Sequence, residues 1–326
     1  MGNGGEEPKE LFGQAFGRRL GAGNATAPQE PAEPEALDLD TRLRLLKRPF
    51  WIGYERAVQI RARIEDLLDT PYSDRVTSCA VIAPSYNGKT SVLRNVQRRH
   101  NLLPADYQQS SSRPDIKIPV FFMQAPPVPD EDRLLDAILR LLCIQGSPRE
   151  PTEHKISRIQ AVFVGLGVKL LAIDEFGFYQ AGSHDRQKKA LNGLKYLGNY
   201  LQIPMVVAAV EQGLNVLSAN EEIANRFPAE HLPRWKANDE NTLSLLASFE
   251  SKLGLRKPSN LGTEGMAKLI IANTGGVLGH MHDLVRELAK KALRSGAERI
   301  VEADLKPDGL KQIRWVIPSQ RHQRPA

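Results

Sequence analysis

Apolar positions along the chain fall into two rhythms. Four short, unbroken apolar runs occupy residues 78–83, 118–124, 169–174 and 204–210. Each has strand length and lacks the alternation of a strand with one wet face, so each predicts a strand buried on both sides. Between them, apolar residues recur every three to four positions. That spacing predicts helices over 91–100, 130–142, 153–165 and 184–201. Upstream, Leu43, Leu45 and Leu46 open a helical pattern from Thr41. Ile60, Ile64, Leu67 and Leu68 mark a second helix over 55–68, which Pro71 ends. The stretch 101–117 is polar and reads as a loop. Strands alternating with helices imply an α/β fold, a parallel sheet covered by helices on both faces. After residue 235 the strand runs nearly stop. Three helical patterns over 240–253, 262–273 and 279–295 predict a small C-terminal helical lid.

Composition adds the ends. Residues 1–40 are rich in Gly, Ala, Pro and Glu and read as a disordered acidic tail, with a short amphipathic turn at Leu11, Phe12 and Phe16. Residues 306–326 carry five bases and one acid and read as a flexible basic tail. The expected organisation is therefore tail 1–40, core 41–235 with an N-terminal helical segment, lid 236–305 and tail 306–326. No internal repeat is visible.

The first 40 residues hold eight acids against three bases, a net of −5; the whole chain is +6, so the remainder is +11. A basic body fits a polyanionic partner, nucleic acid first, and equally fits a solvated basic surface. Cys79 and Cys143 have no CxxC partner or His cluster nearby and read as buried small hydrophobes in a reducing compartment. No apolar run approaches the ~20 residues of a membrane span, and the acidic N-terminus does not read as a signal peptide. A cytoplasmic protein is expected.

Chemistry enters directly after the first strand run. Residues 83–90, Ala83-Pro84-Ser85-Tyr86-Asn87-Gly88-Lys89-Thr90, follow the pattern G-x-x-x-x-G-K-[ST] except at the first position. Such a loop, between a strand and a helix, surrounds phosphates with backbone N–H groups and the positive helix end. Ser85, Tyr86, Asn87, Gly88, Lys89, Thr90 and Ser91 are the expected nucleotide contacts. Lys89 would reach the β- and γ-phosphates of ATP, and the Thr90 hydroxyl would ligate Mg²⁺. Ala83 in place of glycine restricts the loop turn but removes no phosphate-contacting side chain.

The third strand run ends in Asp174-Glu175. In a phosphate-loop enzyme the first acid positions Mg²⁺ and the second orients or deprotonates the attacking water. The spacing of runs and the helical lid point to the AAA+ class of P-loop NTPases, with the acidic strand expected beside the phosphate-loop strand. The end of the fourth run should carry a polar γ-phosphate sensor. Here it reads Ala209-Val210-Glu211-Gln212; Val210 cannot serve, and Glu211 or Gln212 is the expected substitute. Arg226, before Phe227, stands where such proteins place an arginine finger that reaches a neighbour's nucleotide; the plainer reading is a structural Arg. No second sensor Arg opens the lid helix after Gly275-Gly276, where His280 and Arg286 are nearest.

Several motifs together carry a resemblance. Trp51-Ile52-Gly53-Tyr54, Asn87-Gly88-Lys89-Thr90, Ile173-Asp174-Glu175, Leu191-Asn192, Leu194-Lys195-Tyr196-Leu197-Gly198-Asn199, Arg226-Phe227, Leu232-Pro233-Arg234-Trp235 and Ser248-Phe249-Glu250 resemble the TniB family of AAA+ transposition regulators, related to TnsC. The resemblance spans about residues 40 to 305. It implies a bacterial, ATP-dependent DNA-binding protein, nucleoid-associated when on DNA. It further implies assembly into a ring or filament on double-stranded DNA, target selection, and recruitment of a transposase, in some lines beside a TniQ-type adaptor.

Arg113, Lys117, Lys155 and Arg158, between the two nucleotide motifs, are candidates for the DNA-facing surface, against the plainer reading of a solvated face. Two other functions remain open from the sequence. One is a helicase-loader or initiator-like AAA+ ATPase. The other is a nucleotide-binding scaffold that turns over slowly, motivated by the missing sensor.

Overall fold

The computed structural model describes residues 37–69, 76–101, 116–128, 130–147, 149–176, 184–218 and 220–318. They form two compact units, one of 59–83 and 89–231, the other of 37–58, 84–88 and 232–318.

The first unit is built on a five-stranded sheet of β1 (Cys79–Ile82), β2 (Val120–Gln124), β3 (Leu170–Asp174), β4 (Met205–Ala209) and β5 (Ala229–His231). All pairings are parallel, and the order is β2-β3-β4-β1-β5. Every residue of β1, β3 and β4 is buried, as their apolar runs require, and the burial extends to the acid Asp174 at the end of β3. The expectation that the acidic strand adjoins the phosphate-loop strand is corrected: β4 lies between β1 and β3. The short, polar β5 (Ala-Glu-His) has no apolar run to announce it. Among the described residues it pairs with β1 alone.

Helices α1 (Leu39–Leu45) and α2 (Glu55–Leu68) precede the sheet, and α3 (Lys89–His100), α4 (Glu131–Leu141), α5 (Thr152–Leu166), α6 (His184–Leu201), α7 (Glu211–Ser218) and α8 (Glu221–Arg226) connect its strands. Helix α4 shows why the local sequence folds this way. The Asp130 side chain accepts from Arg133 N at 3.0 Å, capping the first turn. Leu134, Leu135, Ile138 and Leu139 then form one buried stripe, each side chain stabilising by roughly 1.5–3 kcal/mol on burial. Helix α5 stops at Gly167, and the chain enters β3 after Val168 and Lys169.

The second unit contains α1, α9 (Glu240–Glu250), α10 (Glu264–Thr274), α11 (Leu278–Ser295), a 3-10 turn (Glu302–Leu305) and α12 (Pro307–Gln312). Leu245, Leu246, Phe249, Ile270, Met281, Leu284 and Leu288 form its core. Buried Arg42 grips Glu298 with two hydrogen bonds, 2.8 and 2.6 Å, and donates a third to Gly254 O at 2.7 Å.

This unit is larger than the expected lid. It takes in the N-terminal helical segment up to residue 58 and the loop 84–88. It also takes in part of the expected basic tail. Leu310 of α12 is buried, and Trp315 Nε1 donates to Asn273 O. Leu310 and Trp315 supply apolar surface in a segment whose charge suggested a tail. The expected acidic tail lies outside the described residues up to 36; Asp38 caps α1 through Thr41 N.

Candidate nucleotide site

Strand β1 is wholly buried and delivers the chain to the loop 83–88, from which α3 begins at Lys89. Ala83 is 2% exposed, and its N–H continues the sheet ladder to Ala209 O at 3.1 Å. The left-handed positions of the loop are Tyr86 (φ 63°) and Gly88 (φ 95°), not Ala83. The departure from the glycine pattern therefore falls where an ordinary residue fits, and Gly88 stands where its conformational freedom is needed.

Lys89 Nζ donates to Ala83 O at 2.9 Å. Burial lowers its pKa, and the charges of Asp174 and Glu175 oppose that shift. An ammonium in such a place is ready to be neutralised by an incoming anion. Thr90 and Ser91 follow on exposed positions of the first turn of α3, and Ser85 is also exposed.

The acidic pair sits at the end of β3. Asp174 is 1% exposed; its Oδ1 accepts from Glu175 N at 2.9 Å, and its Oδ2 is buried with no hydrogen-bond partner among the described residues. A buried acceptor without a donor is rare, because it loses water and gains nothing. A cation at Oδ2 would satisfy it, so the residues present fit Mg²⁺ carried with a nucleotide. Glu175 is exposed and left-handed (φ 56°), a strained backbone of the kind found at working sites.

Sequence reasoning missed Arg94. Its guanidinium lies 3.5 Å from the centroid of the Phe122 ring and donates to Gln97 Oε1. Burial lowers its pKa, and Asp174 pulls the other way. Its helical position carries no motif that would have announced it. In the second unit, Tyr54 packs edge-on to Trp235 (centroids 4.9 Å apart), and its hydroxyl lies 3.7 Å from where a Cβ on Gly88 would be. Burial pushes the Tyr54 phenol up to about 12.

Residues 42–237 match the family described as Bacterial TniB protein. The chain belongs to the TniB family. No curated protein matches this TniB-family chain. Among solved structures, Drosophila ORC bound to DNA is similar at 12% identity and TM-score 0.54, covering 98% of this chain and 77% of that one. The ADP form of the Aeropyrum pernix ORC2 protein is similar at 14% identity and TM-score 0.54, covering 83% and 71%. Cdc6p from Pyrobaculum aerophilum is similar at 12% identity and TM-score 0.50, covering 83% and 70%. The fold they share with this TniB-family chain is the AAA+ α/β P-loop NTPase core.

Other expected site residues fall differently in this TniB-family chain. Arg226 is 7% exposed. It donates to Val76 O and Lys195 O, each at 3.3 Å, and to Asn199 Oδ1 at 2.8 Å. A guanidinium so held braces its own chain, which corrects the arginine-finger expectation. Lys155 is also corrected as a DNA contact: its side chain is 4% exposed and paired with Asp132 at 3.2 Å and Asp136 at 2.9 Å. Arg158 Nη1 meets both Glu150 oxygens at 2.8 Å, so its charge is matched. Lys117 is exposed, with Nζ 3.4 Å from Gly165 O. Arg113 lies outside the described residues. At the end of β4, Val210 is half-buried, and Glu211 and Gln212 open α7 with exposed side chains. Cys79 is buried as expected, but Cys143 is exposed in the turn that ends α4. Among the described residues no helix is long and apolar enough to cross a membrane.

Proposed function

We propose that this TniB-family chain binds ATP with Mg²⁺ through residues 85–91, hydrolyses it, and uses the nucleotide state to control its assembly on double-stranded DNA. On that DNA it would select a target and recruit a transposase, with or without a TniQ-type adaptor. The observation that carries the reading is Asp174 Oδ2, buried and without a hydrogen-bond partner among the described residues, on a residue whose charge is felt by Lys89.

Mg²⁺ and the phosphoanhydride come with the nucleotide and supply the reactive bond and its charge compensation. Thr90 and Asp174 hold the metal. Lys89 neutralises phosphate charge, and the loop N–H groups surround it. Glu175, anchored by its own N–H to Asp174, orients the attacking water. The +11 body fits phosphate-backbone contacts that carry no sequence information. Family membership supports the transposition role, and AAA+ proteins of like fold include Drosophila ORC bound to DNA and the Aeropyrum pernix ORC1 protein in complex with DNA. A homo-oligomer, ring or filament, in the bacterial cytoplasm and on the nucleoid completes the proposal.

One observation favours a second reading. The position after β4 holds Val210, which cannot sense a γ-phosphate. A slowly hydrolysing scaffold is then the alternative. ATP turnover with and without duplex DNA, alongside negative-stain imaging with an ATP analogue, tests both. DNA-stimulated turnover and DNA-bound assemblies are expected, both lost in Lys89→Ala. Binding without turnover selects the scaffold. Assembly unchanged in Lys89→Ala overturns the nucleotide switch.

A further inference from the structure

Helix α11 lacks a cap of its own. Its N-cap residue is Val277, whose side chain accepts nothing, yet the first N–H groups of a helix need acceptors. Two come from the phosphate loop. Leu278 N donates to Asn87 Oδ1 at 2.9 Å, and Gly279 N donates to Tyr86 O at 3.0 Å. The Asn87 amide donates in turn to Leu232 O at 2.9 Å and Pro233 O at 3.0 Å. Asn87 is 1% exposed, with its oxygen and its amide group both engaged.

Tyr86 adds a second link. Its ring lies against Gly279, where an added Cβ would meet ring atoms at 2.4–2.7 Å. Its hydroxyl donates to Asp283 Oδ2 at 2.8 Å, and Asp283 Oδ1 accepts from Arg286 at 3.0 Å. Burial opposes ionisation of Asp283, but hydrogen bonds from His282 and Tyr86 and the charge of Arg286 outweigh it and hold the carboxyl below its usual range. Tyr86 is 54% exposed and left-handed, a conformation its side chain disfavours. Without outside support, residue 86 would relax from it.

We infer that α11 pre-forms the phosphate loop: Asn87 and Tyr86 are positioning residues that lock its left-handed turn onto the first turns of that helix, and Gly279 is glycine to admit the Tyr86 ring. This rests on the nucleotide reading of the loop. A loop already shaped for phosphate spends less binding energy on ordering, so disturbing α11 alone weakens nucleotide affinity. Gly279→Ala is the sharpest probe. It adds one methyl, replaces a poor helix former with a good one, and leaves every residue expected to touch the nucleotide unsubstituted.

The experiment uses the full chain, a fluorescent ATP analogue with Mg²⁺, thermal melting and steady-state turnover. Gly279→Ala is expected to weaken affinity at least tenfold and raise KM in step, with kcat within twofold of the parent. In a Tyr86→Ala background the same substitution should change affinity by less than twofold, because the ring it displaces is gone. Parental affinity in Gly279→Ala, or an equal loss in both backgrounds, overturns the inference. Should Gly279→Ala fail to fold, Asp283→Ala removes the acceptor of the Tyr86 hydroxyl and leaves every residue of the loop unchanged. A severalfold loss of affinity then supports the inference, and unchanged affinity overturns it. A parent chain that binds no nucleotide overturns the nucleotide reading itself, and with it the premise.

Discussion

Asp174 directs Oδ1 back to the N–H of Glu175 at 2.9 Å and keeps Oδ2 buried without a hydrogen-bond partner among the described residues. One carboxylate thus does two things. It holds the left-handed backbone that places Glu175 at the surface, and it leaves one oxygen that a cation would satisfy. The two acids are adjacent in sequence and opposite in setting, one buried and one exposed.

Asp174→Asn should raise the Mg²⁺ concentration for half-maximal turnover at least tenfold. Nucleotide affinity measured in chelator should stay within threefold of the parent. A parallel loss in chelator would move Asp174 from metal binding to general structure.

Glu175→Gln should bind nucleotide as the parent does and turn over roughly 10²–10⁴ times more slowly, the usual range for a lost general base. The backbone gives a second readout. At φ 56°, Glu175→Gly should melt no lower than the parent. Glu175→Val should lose about 1–2 kcal/mol, because a β-branched residue is poorly tolerated there. Chemical denaturation of the three proteins checks both statements.

Arg226→Ala should destabilise the chain by about 3 kcal/mol, since it strips three acceptors of a buried charged donor. A neighbour-directed role makes a different forecast: mixing Arg226→Ala with Lys89→Ala subunits would restore turnover by pairing an intact site with an intact finger. No restoration is expected.

The Arg42–Glu298 pair gives a pH dependence with a definite sign. Hydrogen bonding from Arg42 is the largest influence on Glu298, burial opposes it, and the Arg256 N–H assists; the net effect lowers the carboxyl pKa. A lowered folded value means the stabilisation is complete above the unfolded value of about 4.3 and is lost as pH falls through the folded one. The gap in denaturation midpoint between the parent and Glu298→Gln should therefore be widest near neutrality and shrink in acid. A gap that is constant with pH would show that the pair contributes through packing alone.

Much of the candidate site was legible because phosphate chemistry, where it applies, constrains local sequence. A strand, a glycine in a left-handed turn, a lysine and a hydroxyl must follow one another within a few residues, and 79–90 obey that order. The acidic pair was legible for the same reason, as the abrupt end of an apolar run. Arg226, Lys155 and Arg94 were not. Arginine and lysine suggest a surface, and their burial depends on Asn199, Asp132, Asp136 and Phe122, which lie 19 to 28 residues away.

By itself the sequence determined the four apolar strands, the helices between them, and the loop 83–90 and acidic pair that make up the candidate site. All are set by short-range periodicity and by backbone angles that few residues tolerate. Tertiary structure alone decided that β4 lies between β1 and β3, that Arg226 turns inward, and that Asn87 caps α11 across 191 residues. The reason is physical. An apolar run specifies that a strand is buried but not which strand lies beside it, and an asparagine specifies a donor and an acceptor but not where their partners come from.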